Sequence, residues 1–213
     1  MLRDLDADVV ALQEANERAA AERLAAALGM EIVYGEANSE FAVAWLSRLP
    51  IARAANHRLP VLDKTLLEIE VEGLRLATTH LSAGRLPEDE PHRVEETRAI
   101  LAKVGATADL LAGDFNAVHP SDEIGVPPPE EQVPDGYVSR RPVELVLQGG
   151  FADCFRELHP DARGWTYATG HLWARFDFVF ASPRVACERC AIVDDAAGAS
   201  DHLPVVADVR GRE

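Results

Sequence analysis

Lysine is nearly absent: of 21 basic residues only Lys64 and Lys103 are lysines. Set against 36 acidic residues, this leaves a formal net charge of −15 and disfavours a general basic face that tracks nucleic-acid backbones. Cysteine is scarce as well, with Cys154, Cys187 and Cys190 alone. Such a set makes no disulfide framework and fits a reducing compartment. No apolar run reaches the ~18 residues of a membrane span, and no basic-then-apolar leader follows Met1. The expectation is a cytoplasmic chain with no transmembrane segment. Repeats and low-complexity tracts are missing apart from one proline-rich stretch. What is present, 47% hydrophobic and 27% charged residues with apolar runs punctuated by Gly and Pro, matches a folded globular protein. At 213 residues, one domain acting as a monomer is the default.

Along the chain, Val9 to Leu12 read as a strand and Ala15 to Leu28 as a helix stopped by Gly29. Further strands are expected at Ile32 to Tyr34, Phe41 to Leu46, Leu66 to Val71 and Leu74 to Leu81, the last two joined by a hairpin turn at Glu72-Gly73. After a polar segment, Arg93 to Val104 has helical spacing and Leu110 to Ala112 form a short buried run. His119 to Gly136, with Pro127, Pro128 and Pro129 in a row, reads as an irregular acidic loop. Pro142 to Leu147 are helical, and Phe176 to Phe180 and Val205 to Val209 are strands. Hairpins alongside strand-helix-strand passages give a mixed α/β class, a sandwich with helices outside.

Several polar groups terminate apolar runs. Glu14 follows Val-Val-Ala-Leu-Gln, His80 follows Leu-Ala-Thr-Thr, and Asp114 and Asn116 follow Leu-Leu-Ala-Gly. Asp177 lies within Arg-Phe-Asp-Phe-Val-Phe, and Asp201-His202 precede Leu-Pro-Val-Val. Singly, Glu14 reads as the start of a solvated helix, Asp114 and Asn116 as turn formers, His80 as a strand-end histidine and Asp201-His202 as a turn. Asp177 between two phenylalanines is costly unless paired. Together, strand ends converging on one sheet rim would gather oxygen ligands from Glu14, Asp114 and Asp201 that suit Mg²⁺ or Mn²⁺. A histidine oriented by an aspartate beside them is equipment for activating water against a phosphoester.

At these residues the chain resembles the endonuclease/exonuclease/phosphatase (DNase I-like) superfamily of metal-dependent phosphoesterases. The matching segments run in family order: Leu12-Gln13-Glu14, Leu46 to Ile51, Thr79-His80-Leu81, Gly113-Asp114-Phe115-Asn116, Arg175 to Phe180 and Ser200 to Val205. The resemblance implies a four-layer α-β-β-α sandwich of two mixed or antiparallel sheets. It implies that Glu14 ligates the metal, that His80 contacts or protonates the phosphate, and that Asn116 holds a phosphate oxygen. Asp114 would orient the attacking water or a metal, and Asp177 would fix the tautomer of His202, the general base, while Asp201 supports the metal.

One departure stands out. The family begins with a core strand ending in asparagine, whereas Met1 to Leu5 look like the tail of the helix that follows it, so an N-terminally incomplete domain spanning 1–213 is expected. A catalytically impaired phosphate-binding domain, or a secreted nuclease or phospholipase whose export signal lies upstream, are the alternatives. As substrate, the net charge favours a small phosphoester, a lipid head group or nucleic-acid ends over long DNA. Arg175 is the arginine expected to bind substrate; Arg85, Arg93, Arg140 and Arg141 read as surface arginines that could form a local phosphate patch. Cys187-Glu-Arg-Cys190 lacks a second ligand pair, which argues against zinc.

Overall fold

The computed structural model describes residues 1–131, 133–194 and 198–212. A mixed six-stranded sheet is the frame, ordered β4-β5-β6-β7-β9-β8. Its strands are β4 (Ile51–His57), β5 (Leu66–Val71), β6 (Leu74–His80), β7 (Leu110–Asp114), β8 (Ala152–Asp153) and β9 (Asp177–Ala181). Only β6 and β7 run parallel, and the connection between them carries the 15-residue helix α3 (Glu90–Val104). A three-stranded antiparallel sheet, β1-β3-β2, comprises β1 (Val9–Leu12), β2 (Glu31–Gly35) and β3 (Val43–Ser47), with every residue of β3 buried. A ribbon of β10 (Val185–Ile192) and β11 (Val205–Gly211) completes the β structure.

Side-chain alternation along the strands sorts the core into layers. Leu67, Ile69, Val71 and Leu76 project from one face of the large sheet onto Val43 and Trp45 of β3, and Leu74, Leu110 and Val179 of the same face meet the β10–β11 ribbon. Leu66, Ala77, Leu111, Phe178 and Phe180 project from the other face onto Ile100 and Val104 of α3 and onto Val143 and Val146 of α4 (Arg141–Gln148). Beyond the small sheet, Ala25 of α2 (Arg18–Leu28) packs on Leu46. The result is the expected helix-sheet-sheet-helix layering.

Local boundaries move for physical reasons. Helix α2 starts at Arg18, not Ala15, because Glu17 is extended at φ −100° and serves as its N-cap. Helix α3 starts at Glu90, three residues early, with Pro91 in its first turn, where the missing N–H costs nothing. The stretch from His119 to Gly136 is irregular among its described residues except for short 3-10 turns at Pro129–Glu131 and Pro134–Gly136. Met1 to Leu5 include the short helix α1 (Leu2–Leu5), and β1 pairs with β3 alone among the described strands. Among the described residues no helix is long and apolar enough to cross a membrane.

Candidate active site

Strand register builds the site. His80, the last residue of β6, is the Cα partner of Asp114, the last residue of β7, and Asp114 is the partner of Asp177, the first of β9. Directly paired residues project from the same face, so the three side chains form a row at one rim, between the sheets. Alternation also disposes of the apparent conflict around Asp177: Phe178 points to the helix side, where it packs edge-on against Phe115. Close approach of β6 and β7 here requires glycine. A Cβ on Gly113, at φ 148°, would lie 1.9 Å from the Thr79 carbonyl oxygen.

The chain turns sharply after β7. Asn116 has φ 44°, a left-handed conformation asparagine tolerates well, and its N–H donates to Asp114 Oδ1 at 2.7 Å. Its amide Nδ2 donates to the Leu81 carbonyl at 3.0 Å and lies 3.2 Å from His80 Nε2, while Oδ1 accepts from Arg85 at 3.0 Å. His80 Nε2 is also 3.3 Å from Asp114 Oδ2, and its Nδ1 has no hydrogen-bond partner among the described residues. From the segment before β11, His202 brings Nδ1 to 2.8 Å from Asp177 Oδ2, which leaves Nε2 facing Asp114 Oδ2 at 3.9 Å. The Tyr167 ring packs against the His202 ring with centroids 4.7 Å apart.

The two histidines are pushed in opposite directions. Burial lowers the pKa of His80 to about 4, with Lys64 and His202 adding to the shift and Asp114 opposing it. Burial also acts to lower His202, but the charge and hydrogen bond of Asp177, with Asp114 and Asp201, outweigh it and raise His202 to about 9. Between the ordinary 6.5 and about 4 the unfolded chain holds a proton on His80 that the folded chain refuses, so stability falls as pH drops through that window. Between 6.5 and about 9 the folded chain keeps a proton on His202 that the unfolded chain has lost, so stability falls as pH rises through that one. Each shift corresponds to roughly 3 kcal/mol. In EDTA the urea midpoint is therefore expected to peak near 6.5, His80→Asn flattening the acid side and His202→Asn the alkaline side. A midpoint that keeps climbing between about pH 6.5 and about pH 9 would contradict the His202 shift, and one that does not rise between about pH 4 and about pH 6.5 would contradict the His80 shift.

Of the expected site residues, the structure brings His80, Asp114, Asn116, Asp177 and His202 into one contact network. Ligand atoms of Asp114, Asp177 and His202 lie within 4.8 Å of one another, two carboxylates and an imidazole that suit a hard or borderline cation such as Mg²⁺ or Mn²⁺. Glu14 and Asp201, expected as metal ligands, are exposed and stand outside that group, although charges reach from Glu14 to Lys64 and from Asp201 to His202. Arg175 is a correction. Expected to bind substrate, it is 1% exposed and locked between Asp122 and Asp153, with its guanidinium 4.3 Å over the Phe178 ring. Buried and doubly paired, it cannot reach a ligand. Arg93 and Arg140 likewise serve backbone carbonyls, of Ser82 and Gly84 and of His119, Pro120 and Asp122.

One cation, Lys64, escapes the sequence reading, and Arg85, expected only as a surface arginine of a possible phosphate patch, is drawn into the network. Lys64 is 5% exposed, donates to the Leu81 carbonyl at 2.7 Å and faces Asp114, Glu96, Glu14 and Asp63. Arg85 reaches Asn116 itself. Neither has a motif to announce it. Asp63, His92 and Glu96 also cluster, but Glu96 is already held by Ser82 and the Asp63 N–H. A cavity of about 700 Å³ lined by Phe155, His159, Trp165, Leu172, Cys190 and Leu203 touches none of the row's side chains.

A family model described as endonuclease/exonuclease/phosphatase matches residues 1–202. A search of curated proteins finds no match. Among solved structures, an AP endonuclease from Archaeoglobus fulgidus superimposes with TM-score 0.79 at 21% identity, over 97% of this chain and 90% of that one. The 3′ phosphatase NExo from Neisseria bound to a product DNA hairpin gives 0.75 at 20% identity, over 94% and 88%. D. rerio TDP2 complexed with a single-strand DNA product gives 0.70 at 19% identity, over 95% and 86%. At such identities the likeness concerns the fold, a DNase I-like sandwich. With the family model covering nearly its whole length, the chain belongs to the endonuclease/exonuclease/phosphatase family.

Proposed function

We propose that this protein is a divalent-metal-dependent phosphoesterase in which His202 takes the proton of the attacking water. The observation that carries this reading is the Asp177–His202 hydrogen bond at 2.8 Å, with the far nitrogen of His202 turned towards Asp114. An acceptor on Nδ1 fixes the proton there and leaves Nε2 as the basic atom, the geometry a general base needs. Asp114 would hold a divalent cation, with the charges of Glu14 and Asp201 felt at Lys64 and His202 nearby, and that cation would neutralise charge developing on phosphate oxygens. With the charge of Asp114 offset, His202 loses one of the carboxylates that hold its proton and becomes a better acceptor. Asn116 aims an amide N–H towards the row, and His80, kept neutral by burial, holds a proton for a phosphate oxygen.

Nucleic-acid ends and small phosphoesters are the substrate classes the reading favours. Two relatives are named as bound to DNA products, while a net charge of −15 opposes sequence-independent grip on long DNA. Turnover of bis(4-nitrophenyl) phosphate is expected to vanish in EDTA and return with Mg²⁺ or Mn²⁺; metal-independent turnover would overturn the assignment. A panel of abasic DNA, single-stranded DNA, inositol phosphates and sphingomyelin then ranks the substrates.

A further inference from the structure

Just outside the row, a carboxylate already sits where an anionic ligand would. Glu131, from the 3-10 turn of the proline-rich stretch, is 13% exposed and spans two donors. Its Oε2 accepts from Arg85 Nε at 3.1 Å and its Oε1 from the Tyr167 hydroxyl. Both donors belong to the site. Arg85 Nη1 donates to Asn116 Oδ1, and the guanidinium lies 4.7 Å over the Phe176 ring and 5.4 Å over the Tyr167 ring, while Tyr167 packs on His202.

Charge makes this arrangement informative. Negative charge dominates here: Asp114 and Asp177 stand in the row, the charge of Asp201 acts on His202 and that of Glu14 on Lys64. Against them stand two nearby cations. Lys64 is 5% exposed with its ammonium on the Leu81 carbonyl, whereas the Arg85 side chain is 19% exposed. Guanidinium groups bind carboxylates and phosphates with the same two-pronged geometry, so an anion held by Arg85 and a phenol is interchangeable with a phosphate oxygen pair.

We infer that Arg85 is the side chain that binds the substrate's non-bridging phosphate oxygens, and that Glu131 occupies it in the free protein and is displaced when a phosphoester enters. This rests on the phosphoesterase reading above. Glu131 thus acts as an internal competitor, and the ligand class is one with a phosphate anionic enough to displace a carboxylate. Through Asn116 Oδ1, Arg85 also keeps the amide N–H aimed at the row.

Inorganic phosphate is the probe, followed by calorimetry on the intact chain, beside the KM for bis(4-nitrophenyl) phosphate. Arg85→Ala is expected to weaken phosphate binding about 10- to 100-fold, the loss of one charge-assisted contact, with Arg85→Lys intermediate. Glu131→Gln, which keeps an acceptor for Tyr167 but removes the charge on Arg85, is expected to tighten phosphate and lower KM several-fold. Combined with Arg85→Ala, it is expected to have no effect. Phosphate affinity that is unchanged or weakened in Glu131→Gln would make Glu131 a structural staple and overturn the inference; so would unchanged affinity in Arg85→Ala. If either arginine variant melts far below wild type, the Glu131→Gln result alone decides. Should the wild type bind phosphate in this pattern yet hydrolyse no ester, the binding inference stands and the enzymatic reading fails. Metal-dependent hydrolysis with no Arg85 effect gives the reverse.

Discussion

Replacing His202 by alanine is expected to lower kcat/KM for a phosphodiester by roughly 10³-fold or more, with little change in melting temperature above about pH 9, where the proton-linked stability of His202 is gone. The large effect follows from the loss of the only imidazole in the row whose second nitrogen is oriented by a carboxylate, at 2.8 Å. The small one follows from position, since the His202 side chain is 25% exposed and lies before β11, outside the packed strands. Asp177→Asn separates orientation from mere presence. An asparagine amide opposite Nδ1 can donate to it, which drives the imidazole proton to Nε2 and removes the base while leaving shape intact. A loss on the order of 10²- to 10⁴-fold is expected, carried by kcat more than KM. Rates within a few-fold of wild type in both variants would show that water is activated elsewhere.

Asp114→Asn is the second large effect. Asp114 is 5% exposed, stands at the centre of the row and is reached by both histidines. Its Oδ1 caps the turn by accepting the Asn116 N–H at 2.7 Å, and an asparagine can keep that bond. What the substitution removes is the negative charge between His80 and His202. Divalent-metal affinity is expected to fall by at least about 10²-fold, and kcat/KM at fixed Mg²⁺ by about 10³-fold. A variant that binds Mn²⁺ as wild type does would move the cation off this carboxylate.

Much of this centre can be read from the sequence because strand ends are legible. Apolar runs that stop at His80, at Asp114 and before Leu203 mark where side chains leave the core, and three of the polar groups fall in one register row. Elements without such a contrast were missed. Strand β4 buries none of its seven residues fully and carries Arg53, Asn56 and His57, so an edge strand gives no hydrophobic signal. Strand β10 hides behind Glu188-Arg189, where the register shifts between Cys187 and Arg189 and breaks the period. That shift, with helix α5 (Cys154–Leu158), also gathers all three cysteines into one apolar cluster, a convergence the CxxC spacing does not reveal. Arg175 misleads as a substrate-binding arginine because its neutralising partners, Asp122 in a loop and Asp153 at the end of β8, lie 53 and 22 residues away in the chain. Lys64 gives no signal for the same reason, and Arg85 reads only as one arginine of a possible phosphate patch: tertiary contact alone places them beside Asp114 and Asn116.

The row around Asp114 competes with Asp63, His92 and Glu96 as the place for a divalent cation, and the seven histidines allow the two to be told apart. Substoichiometric Mn²⁺ broadens the ring-proton NMR signals of nearby imidazoles by paramagnetic relaxation. The signals of His202 and His80 are expected to vanish first, with His92 and the others unaffected, and the effect is expected to disappear in Asp114→Asn. Broadening of His92 first, with His202 and His80 sharp, would contradict the assignment of the metal centre to this row.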